Sequence, residues 1–140
     1  MSDPALKLEN QLCFPLYAAA RKVTALYTPL LKPLGLTYTQ YLVMMVLWEQ
    51  DGLRIGEIGE RLCLDTGTLT PLLKKMEQED LLSRTRSAED ERAVIIRLSE
   101  KGKALEEKAA HIPAAVGSCI PLAPEKALLL YSLLHEILNQ

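Results

Sequence analysis

The sequence predicts a mainly α-helical fold with one small β-hairpin. Apolar residues recur three and four positions apart over most of the 140 residues, which is the spacing of one face of an α-helix. Two runs, Leu82–Arg86 and Val94–Leu98, instead show strand-like alternation or β-branching, and a short polar link joins them. Hydrophobic residues make up 49% and charged residues 24%, a balance typical of a globular domain, so we expect one domain over residues 1–140.

The first helix is predicted between about residues 8 and 32. Pro15 interrupts its apolar pattern, because proline has no N–H to donate and clashes with the preceding turn. Either Pro15 kinks a helix that begins near Leu8, or the helix begins at Pro15 itself. Pro33 and Gly35 then end this element.

Thr37 and Gln40 have the spacing of a capping box and predict the start of a second helix. Residues 41–48 are apolar on nearly every side, which predicts a buried central helix. No apolar run reaches the roughly 18 residues that a membrane span needs. Because the start of the chain also has no apolar signal core, we expect a cytoplasmic protein with no membrane partner, and cysteines that are thiols.

A short amphipathic helix, a tight turn and a second helix come next. The short helix is predicted at Ile55–Leu62, and Asp65 or Thr66 can cap the helix that follows the turn. That following helix has one apolar stripe, formed by Leu69, Leu72, Leu73 and Met76. Because the apolar stripe packs against the core, the opposite side of the helix is free to enter a major groove. The pattern therefore predicts a helix-turn-helix.

The free side of this second helix, together with the hairpin, carries the predicted DNA contacts. Hydroxyl groups near the helix N-terminus and two lysines can bond phosphates or base edges. The hairpin is a wing, and an arginine near its tip suits a narrow, electronegative minor groove. The candidates are Thr66, Gly67, Thr68, Thr70, Pro71, Lys74, Lys75, Arg84, Arg86, Asp90 and Arg92, with Asp90 expected to orient Arg92 or the wing turn.

The alternative is that this helix face is merely solvated. Charge does not decide between the two interpretations, because residues 61–97 hold seven basic and seven acidic side chains. The formal net charge of −2 excludes a globally basic nucleic-acid coat protein and leaves a local DNA-binding face possible.

Two further helices complete the chain. One is predicted from Ser99 to about Val116, and residues 117–124, with two prolines, form a break. The last helix, from about Leu128, is apolar over more than one stripe. Such a helix has more surface to bury than one core contact covers, so it is expected to form a dimer interface with the first helix and with residues 101–116.

The wing residues resemble the signature of the MarR family of winged-helix regulators. They are DER at residues 90–92 and, five residues later, LSEKG at residues 98–102. Residues 80–84 stand where that family places the end of its recognition helix and its first wing strand. The resemblance implies a homodimer on palindromic operator DNA, with a winged helix-turn-helix at about 37–99 and a helical dimerisation region at about 6–36 and 100–140.

A narrower resemblance, over about residues 6–138, is to the OhrR-type organic hydroperoxide sensors of that family. It rests on LENQLCFPLY at residues 8–17, LTYTQYL at 36–42 followed by LWE, and LDTGTLTPLLKK at 64–75. The resemblance implies a repressor with organic hydroperoxide as its inducer, which releases DNA when an N-terminal cysteine is oxidised.

The family's redox residues transfer to particular positions. The sensing cysteine corresponds to Cys13, and the tyrosines that hydrogen-bond its sulfur correspond to Tyr27 and Tyr38, with Tyr17 nearby. In the two-cysteine subgroup a second cysteine near the last helix resolves the oxidised sensor across the dimer, and Cys119 fits that place.

The residue types suit this chemistry. Only a thiolate attacks a peroxide oxygen, and a neutral tyrosine hydroxyl that donates to a charged sulfur stabilises it. The product is a sulfenic acid, which a second thiol condenses to a disulfide. A hydroperoxide pocket is expected along Phe14, Leu16, Met44 or Met45, and Cys63 is expected to be a small buried hydrophobe.

Two other functions are considered. The first is a MarR-type repressor controlled by reversible binding of a small ligand, with inert cysteines. The second is a thiol peroxidase, but no thioredoxin-like βαβ pattern surrounds the cysteine, so no enzyme is expected. No cofactor or metal is expected either, because His111 and His135 are isolated and no glycine-rich phosphate loop occurs.

Overall fold

The computed structural model describes residues 3–139. In this range the helices are α1 (Cys13–Leu31), α2 (Tyr38–Glu49), α3 (Ile55–Leu62), α4 (Thr66–Gln78), α5 (Glu100–Ala109), α6 (Ile112–Gly117) and α7 (Pro124–Leu138). The strands are β1 (Leu53–Arg54), β2 (Leu82–Arg86) and β3 (Val94–Leu98). The predicted mainly helical fold with a β-hairpin is confirmed.

The first helix begins at Cys13, so neither predicted start is correct. Two 3₁₀ turns, Pro4–Leu6 and Leu8–Asn10, precede it. Pro15 is the third residue of α1. At that position the missing N–H removes no helical hydrogen bond, because N–H groups of the first turn have no intrahelical acceptor. A proline can therefore lie inside the first turn without setting the helix start.

The second helix, α2, lies at the centre of the molecule. Both capping-box bonds form: Gln40 N donates to Thr37 Oγ1 at 3.4 Å, and Thr37 N donates to Gln40 Oε1 at 3.1 Å. Most of its apolar side chains are buried or partly buried, although Met45 is 42% exposed. The largest fully buried apolar residues of the described chain are Leu31, Val43, Met44, Leu47, Ile58, Leu69, Leu73, Met76, Ile96 and Ile112. Each such side chain contributes about 1.5–3 kcal/mol relative to exposure.

The wing has the predicted strands and one that was not predicted. β2 pairs antiparallel with β3, from Leu82 opposite Leu98 to Arg86 opposite Val94. The two-residue strand β1 pairs with the other edge of β3, so the strand order is β1-β3-β2. Two residues are too few for an alternating pattern, which is why the sequence does not reveal β1.

The predicted helix from Ser99 to Val116 is interrupted. Continuing α5 through Pro113 would press the proline ring against the carbonyl of Ala109. The chain instead ends α5 at Ala109, turns, and begins α6 at Ile112 with Pro113 in its first turn, where proline is tolerated.

Gly102 lies where α5 passes close to the chain that leads into the wing. A Cβ atom at this position would run into the carbonyl oxygen of Leu81 and stand 3.2 Å from Leu98 Cδ2. The Gly102 carbonyl also accepts a hydrogen bond from the indole Nε1 of Trp48 at 2.9 Å. The close approach therefore explains the glycine of the LSEKG run.

The substitution Gly102→Ala is expected to lower the free energy of unfolding by about 1–3 kcal/mol, because the added methyl overpacks this contact. Urea unfolding measures the loss. Gly56→Ala is the control: a Cβ at Gly56 meets no atom within 4 Å, so alanine in α3 should be neutral or stabilise by about 0.5–1 kcal/mol. Equal stability of Gly102→Ala and the unmodified chain would contradict the expectation.

Large apolar side chains remain exposed at the two ends of the chain. No residue of α7 is buried, and Leu128 and Tyr131 are 70% and 63% exposed. Near the N-terminus, Leu6 and Leu12 are 80% and 83% exposed. Soluble monomers rarely expose so much apolar surface, so we expect these two regions to contact another protein surface.

Within residues 3–139, no single helix is long and apolar enough to cross a membrane. The segment Cys13–Leu34 together with α2 meets the length and composition test only as a pair bent by 71°.

Candidate DNA interface and redox site

Asp65 positions the N-terminus of α4. Its Oδ1 accepts a hydrogen bond from Thr68 N at 2.7 Å, which confirms Asp65 as the cap. Hydrogen bonding by Thr68, through the side chain first and the backbone N–H second, lowers the pKa of the Asp65 carboxyl. The charged cap also faces the positive end of the helix dipole.

The pKa shift gives the cap a direction of pH dependence. Since the folded pKa is lowered, the cap is fully formed above the ordinary aspartate pKa of about 3.9 and is lost as the pH falls through the lower folded value. We expect Asp65→Asn to keep the cap without this acid sensitivity, and Asp65→Ala to fray the first turn of α4 at every pH. Amide exchange at Thr68 reports both effects; equal protection in the two variants would contradict the assignment.

The predicted free side of α4 is exposed, while Leu69, Leu73 and Met76 are buried on the other side. The exposed predicted contacts on this helix are Thr66, Gly67, Thr68, Pro71, Lys74 and Lys75. Exposure of this side is what a helix that enters a DNA groove requires.

Two predicted contacts on α4 have local structural roles. The hydroxyl of Thr70 is half-buried and donates to the carbonyl of Thr66 at 2.8 Å. Pro71 is the sixth helical residue, beyond the first turn, where proline is tolerated. Because proline has no N–H, the carbonyl of Gly67 lacks its usual donor four residues on.

The wing arginines differ in how far they are available to DNA. Arg84 is half-buried: its backbone N donates to Glu77 Oε2 at 2.8 Å and its Nε lies 3.4 Å from Glu77 Oε1, so it braces β2 against α4. Arg86 Nη1 donates to a wing-loop carbonyl at 2.8 Å. Asp90 Oδ1 accepts from Arg92 N at 3.0 Å, which orders the wing turn and leaves the side chain of Arg92 exposed.

The three cysteines are free and exposed. Cys13 is the first residue of α1, and it makes no hydrogen bond to a side chain of residues 3–139. Cys119 follows α6, with Ser118 Oγ 4.0 Å from its Sγ. The prediction that Cys63 is buried is wrong: it ends α3 in the left-handed conformation, with φ of 57°, and is exposed in the turn before α4.

Tyrosines cluster where the C-terminal half of α1 meets α2. The ring centroids of Tyr27 and Tyr38 are 4.8 Å apart, and that of Tyr41 lies 5.7 Å from Tyr27. Burial raises the pKa of Tyr38, and the neighbouring Tyr27 raises it further. Burial likewise raises the pKa of Tyr41. These two hydroxyls therefore remain neutral hydrogen-bond donors at neutral pH.

Within one protomer, the cysteine and the tyrosine cluster lie far apart. Tyr27 follows Cys13 on the same helix fourteen positions later, which at 1.5 Å per residue is about 21 Å along the axis. Tyr17 is one turn from Cys13, exposed, with the guanidinium of Arg21 5.6 Å from its ring centroid. A single chain therefore does not bring Tyr27 and Tyr38 to the sulfur.

Two shallow grooves flank the tyrosine cluster. A groove of about 370 Å³ is lined by Thr28, Leu31, Lys32, Gly35, Leu36, Thr37 and Tyr38. A second, of about 330 Å³, is lined by Tyr41, Met45, Trp48, Glu49, Glu106, Ala109, Ala110 and Pro113. Neither combines the four residues expected to line a hydroperoxide pocket, because Met44 is fully buried in the core whereas Phe14 and Leu16 are exposed on α1.

Comparison with known proteins identifies the family. Residues 25–109 match the family model described as transcriptional regulator SarA/Rot. The chain is 50% identical, over 134 residues that cover 96% of it and 91% of the relative, to the organic hydroperoxide resistance transcriptional regulator of Bacillus subtilis.

Two solved structures of AbfR, from Staphylococcus epidermidis, are similar along most of the chain. Reduced AbfR bound to DNA matches with a TM-score of 0.79 at 36% identity, over 94% of this chain and 91% of that one. Disulfide-formed AbfR matches with a TM-score of 0.66 at 39% identity, over 93% and 92%. The chain thus belongs to the SarA/Rot family of transcriptional regulators, which are winged-helix proteins of the MarR type.

Proposed function

We propose that this chain is a DNA-binding transcriptional repressor that senses organic hydroperoxides through oxidation of Cys13 and then releases its operator. The observation that carries the proposal is the exposed Cys13 thiol at the start of α1, in a chain that is half identical to a regulator of organic hydroperoxide resistance. The exposed face of α4 and the wing, including Arg92, supply the DNA contacts.

The working form is a homodimer in the cytoplasm, bound to a palindromic operator. The apolar side chains of α7 and of the N-terminal segment, exposed in one protomer, supply the surface that the dimer buries. Two-fold symmetry then presents two copies of α4 to two half-sites about 34–36 Å apart. Residues 6–36 and 100–140 form the dimerisation region, and residues 37–99 the winged helix-turn-helix.

The dimer also brings tyrosines to the sensor. Because about 21 Å of helix separates Cys13 from Tyr27 in one chain, Tyr27 and Tyr38 reach the sulfur of the partner's sensor rather than their own. Their neutral hydroxyls donate to that thiolate and stabilise it. Tyr17 follows Cys13 by four positions, on the same face of the helix, so its hydroxyl is the third candidate donor to the sulfur.

Oxidation of the sensor by a hydroperoxide takes place in two steps. The Cys13 thiolate attacks the terminal peroxide oxygen of ROOH, forming an S–O bond and breaking the O–O bond; the leaving alkoxide takes a proton and departs as the alcohol ROH. The sulfur is thereby oxidised to a sulfenic acid and the peroxide is reduced. The thiolate of Cys119 from the partner subunit then attacks this sulfur, forming the disulfide and releasing hydroxide, which is protonated to water.

The disulfide weakens DNA binding by changing the orientation of the winged domains. Its two Cα atoms must come within about 7 Å of each other. If Cys13 and the partner's Cys119 lie further apart when reduced, closing the bond draws together the start of α1 and the end of α6. Both segments belong to the dimerisation region, so the winged domains tilt with them. Because the spacing of half-sites is set by the DNA, a tilt breaks the fit at both sites together.

The test is a titration of reduced protein with cumene hydroperoxide while binding to an operator duplex, obtained by selection from random DNA, is followed by fluorescence anisotropy. We expect release at about one peroxide per sensor thiol, and recovery on adding dithiothreitol. Release without loss of the free Cys13 thiol would instead favour a repressor that binds a small ligand reversibly. Rapid consumption of many equivalents of peroxide per chain with reductant present, without release of the operator, would favour a thiol peroxidase.

A further inference from the structure

Gln40 is the one polar side chain that is buried among residues 3–139, with 2% of its surface exposed. Its Oε1 completes the capping box of α2. Its Nε2 points the other way, across the core, and donates to Glu79 Oε1 at 3.4 Å. A buried amide that lost this carboxylate would leave a donor unsatisfied, so the bond links the two positions.

Glu79 stands at the junction of three elements. It directly follows α4, the helix with the exposed DNA-contact face, and its side chain bonds to the first turn of α2. Its backbone carbonyl accepts a hydrogen bond from Lys101 Nζ in α5 at 3.0 Å. The C-terminal end of α4 is thus attached to α2 and to α5, the helix that leads on to α6 and Cys119.

On the α2 side, Gln40 lies in the same turn as Tyr38 and Tyr41, which are part of the tyrosine cluster. Under the proposed function, Tyr38 is engaged by the partner's sensor thiolate only while that sulfur is reduced. Departure of the sulfur into a disulfide therefore frees the first turn of α2, and the hydrogen bond between Gln40 and Glu79 connects that turn to the residue that ends α4.

We infer that Gln40 and Glu79 are positioning residues that transmit the redox state of the sensor to α4. This inference rests on the proposed function. While the sensor is reduced, the Gln40–Glu79 bond holds α4 at the orientation that fits the operator. When the first turn of α2 moves on oxidation, the bond carries the movement to the end of α4. Neither residue contacts peroxide or takes part in the sulfur chemistry.

The test compares Glu79→Met with Glu79→Gln in the full-length chain. Both variants remove the same charge and keep the side-chain length, but only glutamine retains an oxygen that accepts from Gln40 Nε2. Both leave the capping box and the Lys101 bond to the backbone carbonyl in place. The quantity measured is the ratio of operator Kd between oxidised and reduced protein, with the rate of Cys13 oxidation followed separately by thiol alkylation.

We expect a ratio of about 100-fold in the unmodified chain, within the range of allosteric couplings, and a similar ratio in Glu79→Gln. In Glu79→Met the ratio should fall about tenfold while the oxidation rate of Cys13 stays unchanged. Gln78→Met, at the exposed neighbouring position, is the matched control and should keep the full ratio. Gln40→Met removes the bond from the other side, together with the capping bond from Thr37 N, and should lower the ratio at least as far as Glu79→Met.

The outcomes separate this inference from the proposed function. If the unmodified chain releases DNA on oxidation but Glu79→Met and Gln40→Met keep the full ratio, the inference is overturned and the proposed function stands. If all variants lose the ratio equally, including Gln78→Met, the specific bond is not the link. If the unmodified chain itself keeps its operator after oxidation, the proposed function fails and this inference fails with it.

Discussion

The variant Cys13→Ser is expected to bind operator DNA as tightly as the unmodified chain and to ignore organic hydroperoxide. Serine is nearly isosteric with cysteine, and the position is exposed at the start of α1, so the fold and the surface of α4 should be unchanged. A serine hydroxyl does not ionise near neutral pH and therefore does not attack the peroxide oxygen. The expected release factor of about 100-fold should therefore fall to one.

The measurement is operator binding by fluorescence anisotropy before and after cumene hydroperoxide. Cys63→Ser is the matched control, because Cys63 is also an exposed free thiol but lies in the turn between α3 and α4. It should keep the full response. Peroxide-driven release of DNA from Cys13→Ser would show that another group is the sensor. Loss of the response in Cys63→Ser alone would identify Cys63 as the sensor.

The second large effect concerns Cys119. With peroxide and no reductant, the unmodified chain should run as a covalent dimer on a non-reducing gel, and Cys119→Ser should run as a monomer. The reason is that the sulfenic acid at Cys13 then has no protein thiol near it to condense with. The oxidised sensor should remain as a sulfenic acid that reacts with dimedone, or proceed to the sulfinic acid with excess peroxide.

Mixed heterodimers sharpen this experiment. A dimer with Cys13→Ser in one chain and Cys119→Ser in the other holds one complete pair of thiols, from Cys119 of the first chain and Cys13 of the second. It should still form one covalent bridge, since the disulfide joins the two subunits. A covalent dimer in Cys119→Ser alone, removed by dithiothreitol, would contradict the pairing and point to Cys63 or to a bridge between the two copies of Cys13.

The sequence predicts the secondary-structure elements well where an apolar pattern repeats over many residues, or where an element depends on contacts between residues close in sequence. The capping box at Thr37 and Gln40, the cap at Asp65 and both wing strands are as predicted, because each depends on side chains that contact their own neighbours. The break between α5 and α6 was missed although Pro113 signals it, since the apolar pattern continues across the break.

The site was predictable only in part, since its geometry depends on contacts distant in sequence. The pairing of Tyr27 with Tyr38 follows from the way α1 packs on α2, and the engagement of Arg84 by Glu77 follows from the way the wing folds back on α4. Gln40 carried no signal beyond capping, because its second bond, to Glu79, spans 39 positions. The exposure of Cys63 follows from one positive φ that its apolar surroundings do not reveal.

The last helix has a consequence for how much of the regulator a cell must hold. With no buried residue in α7, the free energy that keeps this helix folded comes largely from association, so it varies with protein concentration by mass action. Dilution then lowers both the stability of the fold and the affinity for the operator. The copy number of the chain therefore sets the threshold below which its gene target is no longer silenced, whatever the oxidant level.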